Sequence, residues 1–182
     1  MAGWKIDRRN RLTTAEGQQL LDYAKANCDV TTYTLIFLIL HTGLRIGEVH
    51  NLQVERDIEW HDFPGIHVRN GKGSKYRFIH VDPGVIKQLR KYLKGRTEGP
   101  LFFEYIRKLQ RMWERAVKGA GLRNGTGPHS GRHCFAVKLL EAGHDLSTIR
   151  DLLGHENIQT TSTYLACDDK KMVRAVTGLW RK

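Results

Sequence analysis

The segment Thr42-Gly43-Leu44-Arg45-Ile46-Gly47-Glu48-Val49 joins two predicted helices through a glycine and places an arginine at the start of the second. Gly43 ends an apolar stretch, and Arg45 to Leu52 has the spacing of a short helix with one apolar face. Backbone N–H groups at a helix start and a guanidinium both bind phosphate. These residues indicate an anion site at Arg45, although an ordinary surface arginine is the simpler interpretation of this segment alone.

Most of the remaining chain has the pattern of a helical protein. Thr13, followed three residues later by Glu16, is a capping box that begins a first helix. The run from Thr34 to Leu40 predicts a fully buried helix, and a buried strand is the alternative that periodicity leaves open. Further helices are expected from Pro83 to about Tyr92, Glu104 to Ala120, Ser130 to Glu141, Leu146 to Leu153 and Asp168 to Trp180. A loop rich in glycine, expected to be exposed, fills Gly121 to Pro128.

Between residues 57 and 81 the pattern changes to that of a small antiparallel sheet. Asp57–Trp60 alternates polar and apolar residues, and Ile66–Val68 and Tyr76–Val81 have the composition of two further strands. Asn70-Gly71-Lys72-Gly73 predicts a tight hairpin, because glycine accepts the positive φ that such turns need. The expected fold class is therefore mainly α with a small three-stranded antiparallel sheet (α+β).

Length and composition limit the classes of function. The 182 residues suit a single domain over 1–182, with 1–12 as an N-terminal extension and 168–182 as a C-terminal tail helix. The net charge of +11 favours a polyanionic partner, most often nucleic acid. The apolar run Leu35–Leu40 is far shorter than the roughly 20 residues of a membrane span. The three cysteines are far apart and odd in number, which indicates reduced thiols. We expect a cytoplasmic protein without a signal peptide.

Two further segments carry candidate chemistry in their side chains. Lys72 is at the tip of the hairpin, where the flanking glycines let the backbone approach a ligand, and Lys75 is a credible substitute. His129 and Arg132 are three residues apart and share one face of a helix, so that a proton carrier lies beside a phosphate clamp. A metal site at His129 and His133 lacks the intervening glutamate of the H-E-x-x-H motif and a third ligand, and we reject it.

The last candidates follow the helix that ends at Gly154. His155 is expected to lie just past that helix end, and Tyr164 comes nine positions later, after a run of threonine and serine. The alternatives at these positions are a surface histidine and a half-buried tyrosine. Because the chain has six tyrosines, spacing alone does not select Tyr164.

Taken together, four segments resemble the motifs of the tyrosine recombinase, or phage integrase, family. The segment 41–48 resembles its first arginine box, 71–77 its lysine hairpin, 129–136 its H-x-x-R-H box, and 153–164 its terminal histidine and nucleophile box. Each motif is weak alone, but four in the family's order are highly specific and span most of the chain. The resemblance implies the catalytic-domain fold of a site-specific recombinase.

The resemblance also implies a role for each candidate. Tyr164 attacks the scissile phosphate and keeps its 3′ side as a phosphotyrosyl bond, while Arg45 and Arg132 hold the non-bridging oxygens. A phenol titrates near pH ~10, so it needs nearby cations and a base to react at neutral pH. Two guanidiniums stabilise the charge on the five-coordinate phosphorus. The resemblance therefore implies no metal, no other cofactor and no ATP.

The other three roles concern proton transfer and orientation. In the family's scheme Lys72 protonates the departing 5′ oxygen, His129 assists proton transfer at the nucleophile, and His155 hydrogen-bonds a phosphate oxygen. The implied partner is double-stranded DNA, bound by a dimer at one site and by a tetramer in synapsis. The tail 168–182 either packs on its own core or docks into a neighbouring protomer.

One departure from the family and three rival functions remain. Related integrases have a separate helical domain before the catalytic one, and only about a dozen residues precede the first helix here, which fits either a short recombinase or an excised catalytic domain. The rivals are a type IB topoisomerase-like nicking and closing enzyme, a non-catalytic DNA-binding protein of the same fold, and a metal-dependent nuclease. The scattered carboxylates do not suggest a two-metal site.

Overall fold

A computed structural model describes residues 11–61, 63–69, 76–123, 126–153, 176 and 179. These residues form eight helices and one three-stranded sheet. The helices are α1 (Thr14–Asn27), α2 (Val30–Thr42), α3 (Ile46–Asn51), α4 (Val54–Asp57), α5 (Pro83–Leu93), α6 (Ile106–Gly119), α7 (Pro128–Glu141) and α8 (Leu146–Leu153). The strands are β1 (Ile58–Glu59), β2 (Gly65–Val68) and β3 (Arg77–His80). The mainly helical fold class with one small sheet is confirmed.

Helix α2 is the centre of the core and settles the choice between helix and strand at Thr34–Leu40. It packs against α1, α5, α6 and α7, and most of its side chains are buried. Asp29 caps its first turn by accepting a hydrogen bond from the Thr32 N–H at 2.9 Å. Gly43 ends it with φ of 66°, a left-handed conformation that glycine adopts without steric cost. Within the described ranges, no helix combines the length and the apolar character that a bilayer crossing requires.

The sheet is antiparallel, as expected. Its strand order is β1-β2-β3, and Ile66 pairs with both Ile58 and Ile79. The prediction for the first strand was wrong at its start, because Asp57 ends helix α4. Its buried carboxylate accepts hydrogen bonds from the backbone of Gln53 and from two arginine side chains, which fixes it in the helical turn. Residues 70–75, with the predicted hairpin tip, lie outside the described residues.

Helix α7 begins two residues earlier than predicted, at Pro128. Proline suits the first position of a helix, because its fixed φ is helical and it needs no hydrogen-bond acceptor there. The loop before α7 was expected to be exposed, and that prediction was wrong for Thr126, which is buried. The Thr126 carbonyl accepts a hydrogen bond of 2.8 Å from the indole N–H of Trp113, which ties the loop to α6.

A second hydrophobic cluster lies between α7 and α8. Phe135 and Leu139 of α7 pack there with three apolar side chains of α8. Of the predicted tail helix, the structure describes only Val176 and Leu179. Val176 is buried in this cluster and Leu179 packs against it, which agrees with a tail that folds onto its own chain.

Candidate active site

Arg132 is a buried cation at the meeting point of three helices. It lies in the first turns of α7 and is only 2% exposed. Its Nη1 donates to the carbonyl of Gly43 at 2.7 Å, and its Nη2 donates to the carbonyl of Leu153 at 2.6 Å. These acceptors lie at the C-terminal ends of α2 and α8, where helix carbonyls lack partners within the helix. These two hydrogen bonds fix the orientation of the guanidinium and use two of the five N–H donors that an arginine carries.

The charge of Arg132 is held in an unfavourable environment. Burial and the nearby charges of Arg45 and Arg77 together lower the pKa of its guanidinium to about 10, with Glu48 acting in the opposite direction. The group is still protonated at neutral pH. Among the described residues, the two carbonyls that it binds are neutral and do not cancel its positive charge, which can attract an anion.

Arg45 caps α3 and shares one carboxylate with a residue of the sheet. Glu48 accepts the Arg45 backbone N–H on Oε2 at 2.8 Å and the Arg45 Nη1 on Oε1 at 2.9 Å. The Arg77 guanidinium binds the same two oxygens, Oε1 at 3.0 Å and Oε2 at 2.8 Å. The Glu48 side chain is 3% exposed, against 31% for Arg45 and 13% for Arg77.

Glu48 and Arg77 were not assigned a role from the sequence. Burial raises the pKa of Glu48, but the hydrogen bonds from Arg77 and Arg45 and the positive charge of Arg77 outweigh it, so that the pKa is lowered overall. The carboxylate is thus ionised at neutral pH. The one signal in the sequence was the three-residue spacing from Arg45 to Glu48, which is that of an N-cap and an N3 glutamate.

His129 is an exposed residue in the first turn of α7, close enough to both arginines for their charges to act on its ring. Partial burial of its ring, then the positive charges of Arg132, Arg45 and Arg11, lower the pKa of its imidazole below 6.5. A histidine with a lowered pKa is neutral at pH 7 and can accept a proton. His129 and Arg132 are three residues apart in α7, and the positive charges of Arg132 and Arg45 both act on the His129 ring.

We expect the imidazole of His129 to titrate below pH 6.5 in the DNA-free protein, and Arg45→Ala to raise that midpoint. The variant removes a cation that disfavours the imidazolium, so the protonated form persists to higher pH. NMR titration of the His129 ring measures both midpoints. Arg150→Ala, on the exposed face of α8, is the matched loss of an arginine and should leave the midpoint unchanged. A wild-type midpoint above 6.5 would contradict the effect of burial and of the neighbouring cations on this ring.

His133, one turn after His129, has a hydrogen-bond partner outside its own helix. The Nη1 of Arg11 lies 3.3 Å from its Nδ1, so the ring accepts a hydrogen bond from the segment before α1. Burial, then Arg11 and His129, lower the pKa of His133. Among the described residues, no group of three or more histidine, cysteine, aspartate and glutamate side chains is arranged to hold a metal ion.

The structure therefore brings together Arg45, His129 and Arg132, three of the six predicted site residues. The other three, Lys72, His155 and Tyr164, lie outside the described residues, as does Lys75.

Comparison with known proteins identifies the family. The sequence model of the phage integrase family matches residues 10–171, so the chain belongs to that family. It is 32% identical over 174 residues to a tyrosine recombinase of Thermosipho africanus, covering 92% of this chain and 61% of that protein. It is 33% identical over 175 residues to the tyrosine recombinase XerA of Pyrococcus furiosus, covering 91% and 60%. The chain thus spans about three fifths of the length of these curated relatives.

Solved structures agree with the fold. The crystal structure of XerA recombinase superposes with a TM-score of 0.71 at 29% identity, over 81% of this chain and 55% of that one. XerH site-specific recombinase, bound to difH substrate in a pre-cleavage complex, gives a TM-score of 0.69 at 27% identity, over 81% and 48%. The integrase of mycobacterium phage Brujita superposes with a TM-score of 0.74 at 20% identity, over 97% of this chain and 59% of that one. At this identity the likeness is one of fold alone. The expected recombinase catalytic-domain fold is confirmed.

Proposed function

We propose that this chain breaks and rejoins double-stranded DNA as the catalytic domain of a tyrosine site-specific recombinase. The observation that carries the proposal is the pairing of a partly exposed Arg45 with a buried, oriented Arg132 beside a histidine of lowered pKa. The two arginines come from different helices. Glu48 carries a single negative charge, which does not neutralise the three charges of Arg45, Arg77 and Arg132. An excess of fixed positive charge at a buried point suits a phosphodiester whose charge grows during reaction.

In the proposed reaction, the Tyr164 oxygen attacks phosphorus and the 5′ oxygen leaves, so that the 3′ side becomes a phosphotyrosyl ester. Arg45 and Arg132 hold the non-bridging oxygens in the five-coordinate transition state. His129, neutral at pH 7, receives the phenolic proton, and Lys72 supplies a proton to the 5′ oxygen. His155 donates to a phosphate oxygen. Attack by the free 5′ hydroxyl of a partner strand reverses these steps, and neither a metal nor ATP takes part.

Helix α6 offers a surface for the DNA backbone. Its apolar face is buried, and its exposed positions include five cations. They are Arg107, Lys108, Arg111, Arg115 and Lys118. Within α6, all of which the structure describes, Glu114 is the one acidic residue. A helix face of this charge attracts a polyanion and releases its counterions on binding.

We expect DNA affinity to fall steeply with salt, with a slope of about −0.9 in log K against log salt for each phosphate neutralised. Replacing Arg111 and Arg115 together by glutamine should reduce the magnitude of the slope by about 1.8 on the same basis. Fluorescence anisotropy on duplex DNA at several salt concentrations measures the slope.

The control for this measurement is Lys87→Gln with Lys91→Gln, an equal loss of charge on the exposed face of α5, which packs on α2. A similar reduction of the salt slope in both double variants would mean that DNA responds to the total charge of the protein and not to the surface of α6. A nearly flat wild-type slope contradicts a DNA-binding role.

Covalent capture tests the proposed function on DNA of unspecified sequence. The protein is incubated in EDTA with a pool of nicked duplexes whose central base pairs are randomised, and DNA that remains bound after denaturation is sequenced. Enrichment of related sequences is expected. Recombinant products from two duplexes of the recovered sequence then support strand exchange, whereas supercoil relaxation alone supports a nicking and closing enzyme. Absence of any adduct contradicts the proposal.

We also propose that the protein assembles on DNA, as a dimer at one site and a tetramer in synapsis, and that it acts in the cytoplasm at the nucleoid. A structural relative, the lambda integrase, is known as a dimer bound to a COC′ core site. Stepwise shifts on DNA carrying one and two half-sites test the assembly.

A further inference from the structure

We propose that Arg77 is a positioning residue for the proposed cleavage reaction, and that it acts through Glu48 to hold Arg45 ready for a phosphate. The inference rests on the proposed function, because it assigns Arg45 to the reacting phosphate. Arg77 begins strand β3, 29 residues from Glu48 in sequence, so its role follows from the fold.

The Glu48 carboxylate accepts two hydrogen bonds from each of the two arginines. Each oxygen accepts one bond from each residue, since Oε1 takes Arg45 Nη1 and Arg77 Nη1, and Oε2 takes the Arg45 backbone N–H and Arg77 Nη2. Arg77 therefore binds with both ends of its fork, which fixes the plane of the carboxylate. A fixed carboxylate in turn fixes one end of the Arg45 guanidinium.

Exposure separates the roles of the two arginines. The Arg77 side chain is 13% exposed and both its terminal nitrogens are bound to Glu48, whereas Arg45 is 31% exposed and gives that carboxylate one terminal nitrogen. Arg45 is thus the member of the pair that reaches a ligand. Arg77 lies behind it, where it supports the carboxylate.

Charge gives Arg77 a second effect on Arg45. Glu48 is buried, and among the described residues the cation that would still bind this carboxylate without Arg77 is Arg45. Arg45 would then be drawn fully onto Glu48 and much of its charge would be neutralised. By taking half of the carboxylate's hydrogen bonds, Arg77 leaves Arg45 both oriented and positively charged.

A double-mutant cycle tests whether Arg77 acts through Arg45. The substrate is the nicked duplex recovered by covalent capture, and the measured quantity is the single-turnover cleavage rate at saturating protein. Arg77→Lys keeps the charge but loses the fork, and should lower the rate by about 10- to 100-fold, as a misplaced catalytic group does. In the Arg45→Ala background the same change should cost almost nothing, because the group it positions is gone. Independent, multiplicative losses overturn the proposal.

Two comparisons separate positioning from folding. Arg69→Lys changes a neighbouring arginine that pairs with the buried Asp57 at 3.0 Å, and it should leave the cleavage rate unchanged. Thermal unfolding of Arg77→Lys should resemble that of Arg69→Lys. Restoration of the Arg77→Lys rate by a 5′-bridging phosphorothiolate, which needs no proton on its leaving group, would place the defect in leaving-group protonation and overturn the proposal.

A measurement without DNA keeps the inference distinct from the proposed function. NMR of the arginine guanidiniums reports rotation about the Nε–Cζ bond, and the Arg45 signal is identified by its loss in Arg45→Ala. We expect slow rotation in the wild type and faster rotation in Arg77→Lys, because lysine keeps the charge that competes for Glu48 but loses the fork that fixes the plane of the carboxylate. An unchanged Arg45 signal overturns the positioning role. A changed signal in a protein that forms no DNA adduct supports the Arg77–Glu48–Arg45 linkage and contradicts the proposed function alone.

Discussion

Arg132→Lys is expected to lower the rate of DNA strand cleavage by roughly 10²- to 10³-fold, the cost of removing one preorganised donor from a transition state. The guanidinium spans the carbonyls of Gly43 and Leu153 and still has donors for a phosphate. An ammonium is a compact charge without a fork, so lysine cannot reach both carbonyls and a phosphate oxygen in one geometry. Because its positive charge remains, DNA affinity should change little.

Single-turnover cleavage and equilibrium binding on the same duplex measure the two effects separately. Arg150→Lys is the matched control, since Arg150 lies on α8 with a side chain 40% exposed and pairs with Asp151. It should retain full activity. Equal losses of affinity and rate in Arg132→Lys would identify Arg132 as an ordinary backbone contact, and an unaltered rate would remove it from the site.

Tyr164→Phe is expected to abolish covalent capture of DNA and to leave binding nearly intact. The substitution removes one hydroxyl oxygen, which is the proposed nucleophile, and keeps the aromatic ring. Denaturing gels of trapped complexes measure capture, and gel shifts measure binding. Tyr105→Phe is the control, since Tyr105 is an exposed tyrosine, 55% accessible, at the start of α6. An adduct that persists in Tyr164→Phe and disappears in Tyr105→Phe would reassign the nucleophile.

The elements that were predictable from the sequence are those whose signals are local. The capping box at Thr13 and Glu16 is present, with the Thr13 backbone donating to Glu16 at 2.8 Å. Gly43 ends α2, and Pro83 begins α5 after the capping Asp82. Each of these boundaries depends on residues within one helical turn, which a single sequence displays in full.

The departures occur where distant residues decide the outcome. Asp57 has the position of a strand residue in the local alternation, but Arg69, 12 residues later, joins the adjacent Arg56 in holding its carboxylate at the end of α4. Thr126 is in a glycine-rich loop, yet its carbonyl is the acceptor for the buried Trp113. Neither partnership has a period or a motif from which it could be predicted.

The candidate site likewise combines features that were predictable from the sequence with features that depend on the fold. The spacing of His129 and Arg132 placed both on one helical face, and the family resemblance assigned their roles. The burial of Arg132 was not predictable, because its acceptors at 43 and 153 lie 89 and 21 residues away in sequence. The link from Glu48 to Arg77 likewise forms only once the sheet packs beside α3.

The most direct test of the central claim is to identify the residue that becomes bonded to DNA. The wild-type protein is trapped on the recovered nicked duplex in EDTA and digested with protease and nuclease, and the peptide that retains a nucleotide is sequenced by mass spectrometry. We predict a single modified peptide in which Tyr164 carries the 3′ phosphate. A nucleotide on another residue, a 5′ linkage, or cleavage of DNA without any bonded peptide would contradict the account.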